Sequence, residues 1–210
     1  MAPLYEGPLL LMGMKDVVEK AISDAEFEFA NAKVRVQAEC DFQALELPGL
    51  KIGPFTKGER YSLPLWVALE MARRGVVKLV EPAALSVDEL IRVHSRETRL
   101  SRGLAADLPS DFYPRLRRLL AKLREEASRD PSRLRELDRV QHMARDIVNV
   151  RLKKVISLAS SVARSPLTRK HLTPEEELLF DTIGDLADAW REEVVGNAGG
   201  HGPGSRSRAR

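Results

Sequence analysis

Residues 146–160 read DIVNVRLKKVISLAS. At about 100° per residue, Ile147, Val148, Val150, Leu152, Val155, Ile156, Leu158 and Ala159 spread over roughly 240° of a helix, where a helix with one wet face needs a stripe of only about 100°. One neighbouring surface cannot bury such an arc, so a second packing layer is expected, and burial preferences favour a partner subunit over the rest of the chain. Length points the same way. A single helix from Pro131 to Ser161 would run about 46 Å, against a diameter near ~36 Å for a compact domain of about 130 residues. Arg151 stands inside the apolar arc with no acid one turn away on its own face. A buried guanidinium needs a carboxylate or carbonyl partner, which must come from another helix or another subunit; the alternative is that its head snorkels to the edge of the bundle.

The helical period extends to both sides of this stretch. Asp130-Pro131 opens the long helix, and before it Phe112, Leu116, Leu119, Leu120, Leu123 and Ala127 form one stripe, with Arg115, Arg117, Arg118, Lys122 and Arg124 opposite. Ser86 with Glu89, and Thr173 with Glu176, have the spacing of capping boxes. Leu179, Ile183, Leu186, Ala187 and Trp190 are the expected buried face of the last helix. Trp66 and Trp190 read individually as core anchors within the chain. Pro64 suits the first turn of a helix through Trp66, Val67, Ala68 and Met71 that stops at Gly75.

Towards the N-terminus the period changes. Met14 to Asn31 predicts a helix on the face Val17, Val18, Ala21, Ile22, Ala25 and Phe29, and Val34, Val36 and Ala38 then alternate with polar residues as in a half-buried strand. Two short runs, Ala44 to Leu47 and Leu50 to Ile52, flank Pro48-Gly49 and end at Gly53-Pro54, both pairs being turn chemistry. The expected fold class is α+β: a small β-rich module with a leading helix over residues 1–62, a mainly helical bundle domain over 63–195, and a disordered basic tail over 196–210.

Of the formal net charge of +3 on 210 residues, all is accounted for by Arg206, Arg208 and Arg210 in that tail. The body is neutral, which argues against a surface that holds DNA by phosphate contacts alone. The three tail arginines remain candidates for weak nucleic-acid contact. One cysteine, Cys40, no signal-peptide pattern and no apolar run of membrane length point to a soluble cytoplasmic protein, nucleoid-associated or, in a eukaryote, nuclear. Three Asn and three Gln beside 31% charged residues match the bias of thermophile proteins.

No catalytic constellation is expected. His94, His142, His171 and His201 have no metal-like spacing with each other or with Cys40, and neither a phosphate-cradling loop nor a nucleophile elbow occurs. Neither a cofactor nor a metal is expected. A DNA-binding regulator using the basic face at Arg115 to Arg124, or the tail, is the alternative from another class.

Two stretches carry a family likeness: Ile52-Gly53-Pro54-Phe55, Leu63 to Ala68, Arg73-Arg74-Gly75 and Val80-Glu81-Pro82 on one side, and Asp146-Ile147, Arg151, Lys154-Val155 and Leu158-Ala159 on the other. Together, over about residues 15–195, they resemble the GINS family of replication-fork proteins. The small module precedes the helical one, as in the archaeal two-three type and the second Psf-type subunits of eukaryotes. The resemblance implies a non-catalytic scaffold that assembles through helical-domain surfaces. It implies pairing with a five-one type GINS subunit as a 2:2 tetramer, and a link between the MCM helicase and a Cdc45-like or RecJ-like protein, with DNA contact only weak or indirect. On this reading the interface candidates are Ile147, Val148, Val150, Arg151, Lys154, Val155, Leu158 and Trp190.

Overall fold

The computed structural model describes residues 7–47, 49–99, 108–161 and 166–196. Helix α1 (Gly7–Asn31) leads into strands β1 (Lys33–Ala38), β2 (Leu45–Leu47), β3 (Leu50–Ile52) and β4 (Arg60–Pro64). Helix α2 (Leu65–Arg73) and strand β5 (Val77–Leu79) follow. The helical part comprises α3 (Val87–Arg99), α4 (Phe112–Arg129), a 3₁₀ turn at Pro131–Arg133, α5 (Leu134–Ala159), the short α6 (Pro166–Arg169), α7 (Pro174–Arg191) and a π-helical turn at Glu192–Gly196. This is the α+β order expected of the sequence.

β1 is the middle strand of an antiparallel sheet ordered β4-β1-β5, with Val36 opposite both Tyr61 and Leu79. Its alternation buries Val36 and Ala38 on one face, against Val67, Ala68 and Met71 of α2. β2 and β3 form a hairpin whose turn places Gly49 at φ +77°, a conformation in which a side chain would be strained. Gly75, at φ +71°, ends α2: its N–H bonds to the Ala72 carbonyl and that of Val76 to the Met71 carbonyl, the paired bonds of a Schellman motif.

The N-terminal hydrophobic core runs from Val36 through Val77. The expected module end at residue 62 therefore falls inside β4, and α2 and β5, expected on the helical side, belong to the sheet's own core. The physical reason is that a sheet with one apolar face must be covered, and α2 covers it.

α5 is the central helix of the second half and contacts α3, α4 and α7. Its first two-thirds share a core with α3 and α4 through Leu90, Phe112, Leu119, Val140 and Ile147, and its last turns share another with α7 through Val155, Ala159, Leu172 and Phe180. α1 joins the halves. Its C-terminal end abuts α2, where the Leu65 N–H bonds to the Ala32 carbonyl, while Glu26 pairs with Arg117 of α4 and the Arg118 guanidinium lies 5.3 Å from the Phe29 ring centroid.

Candidate interaction face

The helical half is pinned by an internal ionic network and presents an unpaired apolar face beside it. Arg151 is 1% exposed, as is Glu97 of α3. Its Nε and Nη2 donate to the two carboxylate oxygens of Glu176 at 2.8 and 2.5 Å, a bidentate pair, and its Nη1 donates to Glu97 at 3.1 Å. Lys154 Nζ, one turn on, donates to the other Glu97 oxygen at 2.9 Å and to the Glu97 carbonyl at 3.0 Å. The Tyr113 hydroxyl of α4 donates to Glu176 at 2.7 Å. Four helices thus meet on two acids and two bases whose charges cancel.

Burial works against the Arg151 charge, but hydrogen bonds to Glu176 and the charges of Glu176 and Glu97 outweigh it and hold the guanidinium more firmly protonated than usual. Burial, followed by the Glu176 charge, pushes the Tyr113 phenol well above its ordinary value. Glu176 can reach Arg151 because it is the third residue of α7: it completes a capping box with Thr173, whose hydroxyl accepts from the Glu176 N–H while the Glu176 carboxylate accepts from the Thr173 N–H.

Over this network lies a groove of about 840 Å³ between α1, α5 and α7. Its walls are Val17, Val18, Ala21 and Ile22 of α1, Val148 and Leu152 of α5, and Leu178, Leu179, Thr182 and Ile183 of α7. On α7, Leu178 and Ile183 bound an arc of about 140°. Leu186 and Trp190 fall inside that arc and are each 65% exposed, with Val194 exposed beyond them. Arg151 bonds to Glu176 near the start of α7 and Arg191, near its end, donates to the Ser160 carbonyl, so α7 runs parallel to α5 and extends the apolar face past the α5 C-terminus.

The candidate interface residues divide. Val148 and Trp190 are exposed, Val150 and Leu158 half-buried. Ile147, Arg151, Lys154 and Val155 are buried among the chain's own helices, Arg151 and Val155 at the base of the groove. Part of the wide apolar arc of α5 is covered from within by α3, α4 and α7, and the open part is Val148, Leu152 and Ile156, four residues apart. Arg206, Arg208 and Arg210 lie outside the described residues. Trp66, expected as a core anchor, is 44% exposed, and the buried face of α7 is Glu176, Phe180 and Gly184 rather than the stripe ending in Leu186 and Trp190. The α1 contribution to the groove was missed because Val17, Val18 and Ile22 read simply as a buried face, yet all three are exposed.

The basic side of α4 is mostly neutralised: Arg115 pairs with Glu89, Arg117 with Glu26 and Glu175, and Lys122 with Glu126. Among the described residues no group of acids, histidines and cysteines could hold a metal ion, and no helix is long and apolar enough to cross a membrane.

Residues 84–195, the whole α3–α7 assembly, match the GINS complex protein helical bundle domain. The chain belongs to the GINS family. Residues 21–80, which hold the sheet and α2, match the PSF2 N-terminal domain and make it a Psf2-like member. A protein of Caenorhabditis elegans named "Probable DNA replication complex GINS protein PSF2" is 32% identical over 61% of this chain and 66% of its own length. The "DNA replication complex GINS protein PSF2" of Xenopus laevis is 25% identical over 77% of the chain and 83% of the relative, and that of Homo sapiens 26% over 67% and 72%.

Proposed function

We propose that this chain is a non-catalytic scaffold subunit of a GINS complex acting in DNA replication, and that it assembles through the apolar face of α1, α5 and α7. The observation that carries the reading is the groove itself. Apolar side chains of three helices stand open to solvent above a fully paired ionic network, and leaving so many exposed has a cost that a partner's helices would relieve. The relatives' names supply the setting, a DNA replication complex.

The sister subunit is of the five-one type, in a 2:2 tetramer, and the complex joins the MCM helicase to a Cdc45-like or RecJ-like protein, in the cytoplasm at the nucleoid or, in a eukaryote, in the nucleus. The thermophile bias of the composition suits an archaeal host. A DNA-binding regulator is disfavoured because the α4 arginines that would meet phosphates are largely consumed by Glu26, Glu89 and Glu175.

The test is a pair of variants, Leu152→Glu and Leu186→Glu, co-expressed with a five-one type subunit. Both side chains are exposed, so thermal stability stays within about 0.5 kcal/mol of wild type. Co-purification with the sister subunit is lost. Unimpaired co-purification by both variants would contradict the reading.

A further inference from the structure

A second recess, of about 360 Å³, lies between α4 and α5. It shares Tyr113, Arg117 and Val148 with the groove, but its character differs. Its floor carries Leu116, Leu120 and Val148, and its sides carry Gln141, Asn149, Arg124 and Arg145, with no acidic residue. Arg117 is spoken for by Glu26 and Glu175. Arg124 and Arg145 are exposed and have no ion-pair or hydrogen-bond partner among the described residues.

Their lack of partners is not a shortage of acids. Glu125, next to Arg124, pairs with Arg129; Glu126 pairs with Lys122; and Asp146, next to Arg145, faces His94. Each neighbouring carboxylate is drawn to another base. Two uncompensated guanidiniums, two side-chain amides and an apolar floor therefore share one recess.

We propose that this recess is a docking site for an acidic segment of a protein partner, seated by one apolar side chain on Leu116, Leu120 and Val148 and by carboxylates over Arg124 and Arg145. Charge complementarity selects the occupant: planar guanidiniums pair with carboxylates in bidentate fashion, and an apolar floor rewards a Leu-sized or Phe-sized anchor. A nucleic-acid strand fits less well. Its one aromatic lining residue, Tyr113, is half-buried and packs edge-on against Phe112 with ring centroids 5.2 Å apart, and the rest of the floor is aliphatic, so it offers no platform on which successive bases could stack.

The site is tested by fluorescence anisotropy on the full chain with three labelled probes: a Glu-rich peptide with one central Leu, the same peptide with Lys in place of Glu, and oligothymidylate of equal charge to the first. Wild type binds the Glu peptide, more weakly as salt rises, and binds the other two at least about tenfold less tightly. The double variant Arg124→Glu, Arg145→Glu changes only exposed side chains, so its circular dichroism is unchanged. It loses the Glu peptide by about tenfold and gains the Lys peptide. Arg92→Glu, an exposed arginine on α3 outside the recess, binds as wild type does. Oligothymidylate bound as tightly as the Glu peptide, equal binding by the double variant, or no binding of the Glu peptide by wild type would each overturn the proposal. None of these outcomes bears on the groove, whose own test uses Leu152 and Leu186.

Discussion

Arg151 shows how one side chain can fix the arrangement of several helices. Its guanidinium is satisfied when α3 brings Glu97 and α7 brings Glu176 to the same head group, and Lys154 and Tyr113 donate further hydrogen bonds to the same acids. Cutting the hub leaves two buried carboxylates short of a counter-charge, so Arg151→Ala is expected to lower unfolding stability by about 3–5 kcal/mol in urea melts. A snorkelling arginine would cost far less. Tyr113→Phe removes one hydrogen bond to a charged acceptor and is expected to cost about 1.5–3 kcal/mol at neutral pH. Because the folded phenol titrates above its unfolded value, this contribution is fully present below pH ~10 and is lost as pH rises through the folded value, so wild-type and variant stability curves converge on the alkaline side. The need for a partner on Arg151 is legible in its isolation within an apolar arc. The identity of the partners is not, since Glu176 and Glu97 lie 25 and 54 residues away and only the fold brings them near.

Among elements, those with a strong period or a chemical start signal are legible in the sequence. The alternation of Val34, Val36 and Ala38 became β1, Ser86 with Glu89 opens α3, and Thr173 with Glu176 caps α7. Thr173→Ala is expected to destabilise by at least about 1–2 kcal/mol in thermal melts, because the cap also holds the Glu176 carboxylate in reach of Arg151. Amphipathic faces were harder to place, for a physical reason. An apolar stripe reports that a surface must be covered and not by what, so Leu186 and Trp190 read as core when they extend an open face. Trp66 likewise stands next in sequence to the buried Leu65 and Val67, but about 100° away from each around α2. The extent of the small module was missed because α2 has a helical period like the bundle, and only packing shows that it covers the sheet.

For the whole molecule, α1 decides how the parts relate. It starts beside α7, lends one wall to the groove and ends against α2, with Glu26 and Phe29 engaging Arg117 and Arg118 on the way. The small module is thereby tied to the helical half, and the groove is built by both. The neutral body and an α4 face on which Arg115, Arg117 and Lys122 are already paired leave apolar association, rather than phosphate binding, as the molecule's principal means of recognition. The most direct test of that claim is size-exclusion chromatography with light scattering, on the chain alone and mixed with a five-one type GINS subunit. Wild type is expected to run as a particle larger than the 23.5 kDa monomer, which Leu152→Glu and Leu186→Glu reduce to a folded monomer. A strictly monomeric wild-type chain under both conditions would contradict it.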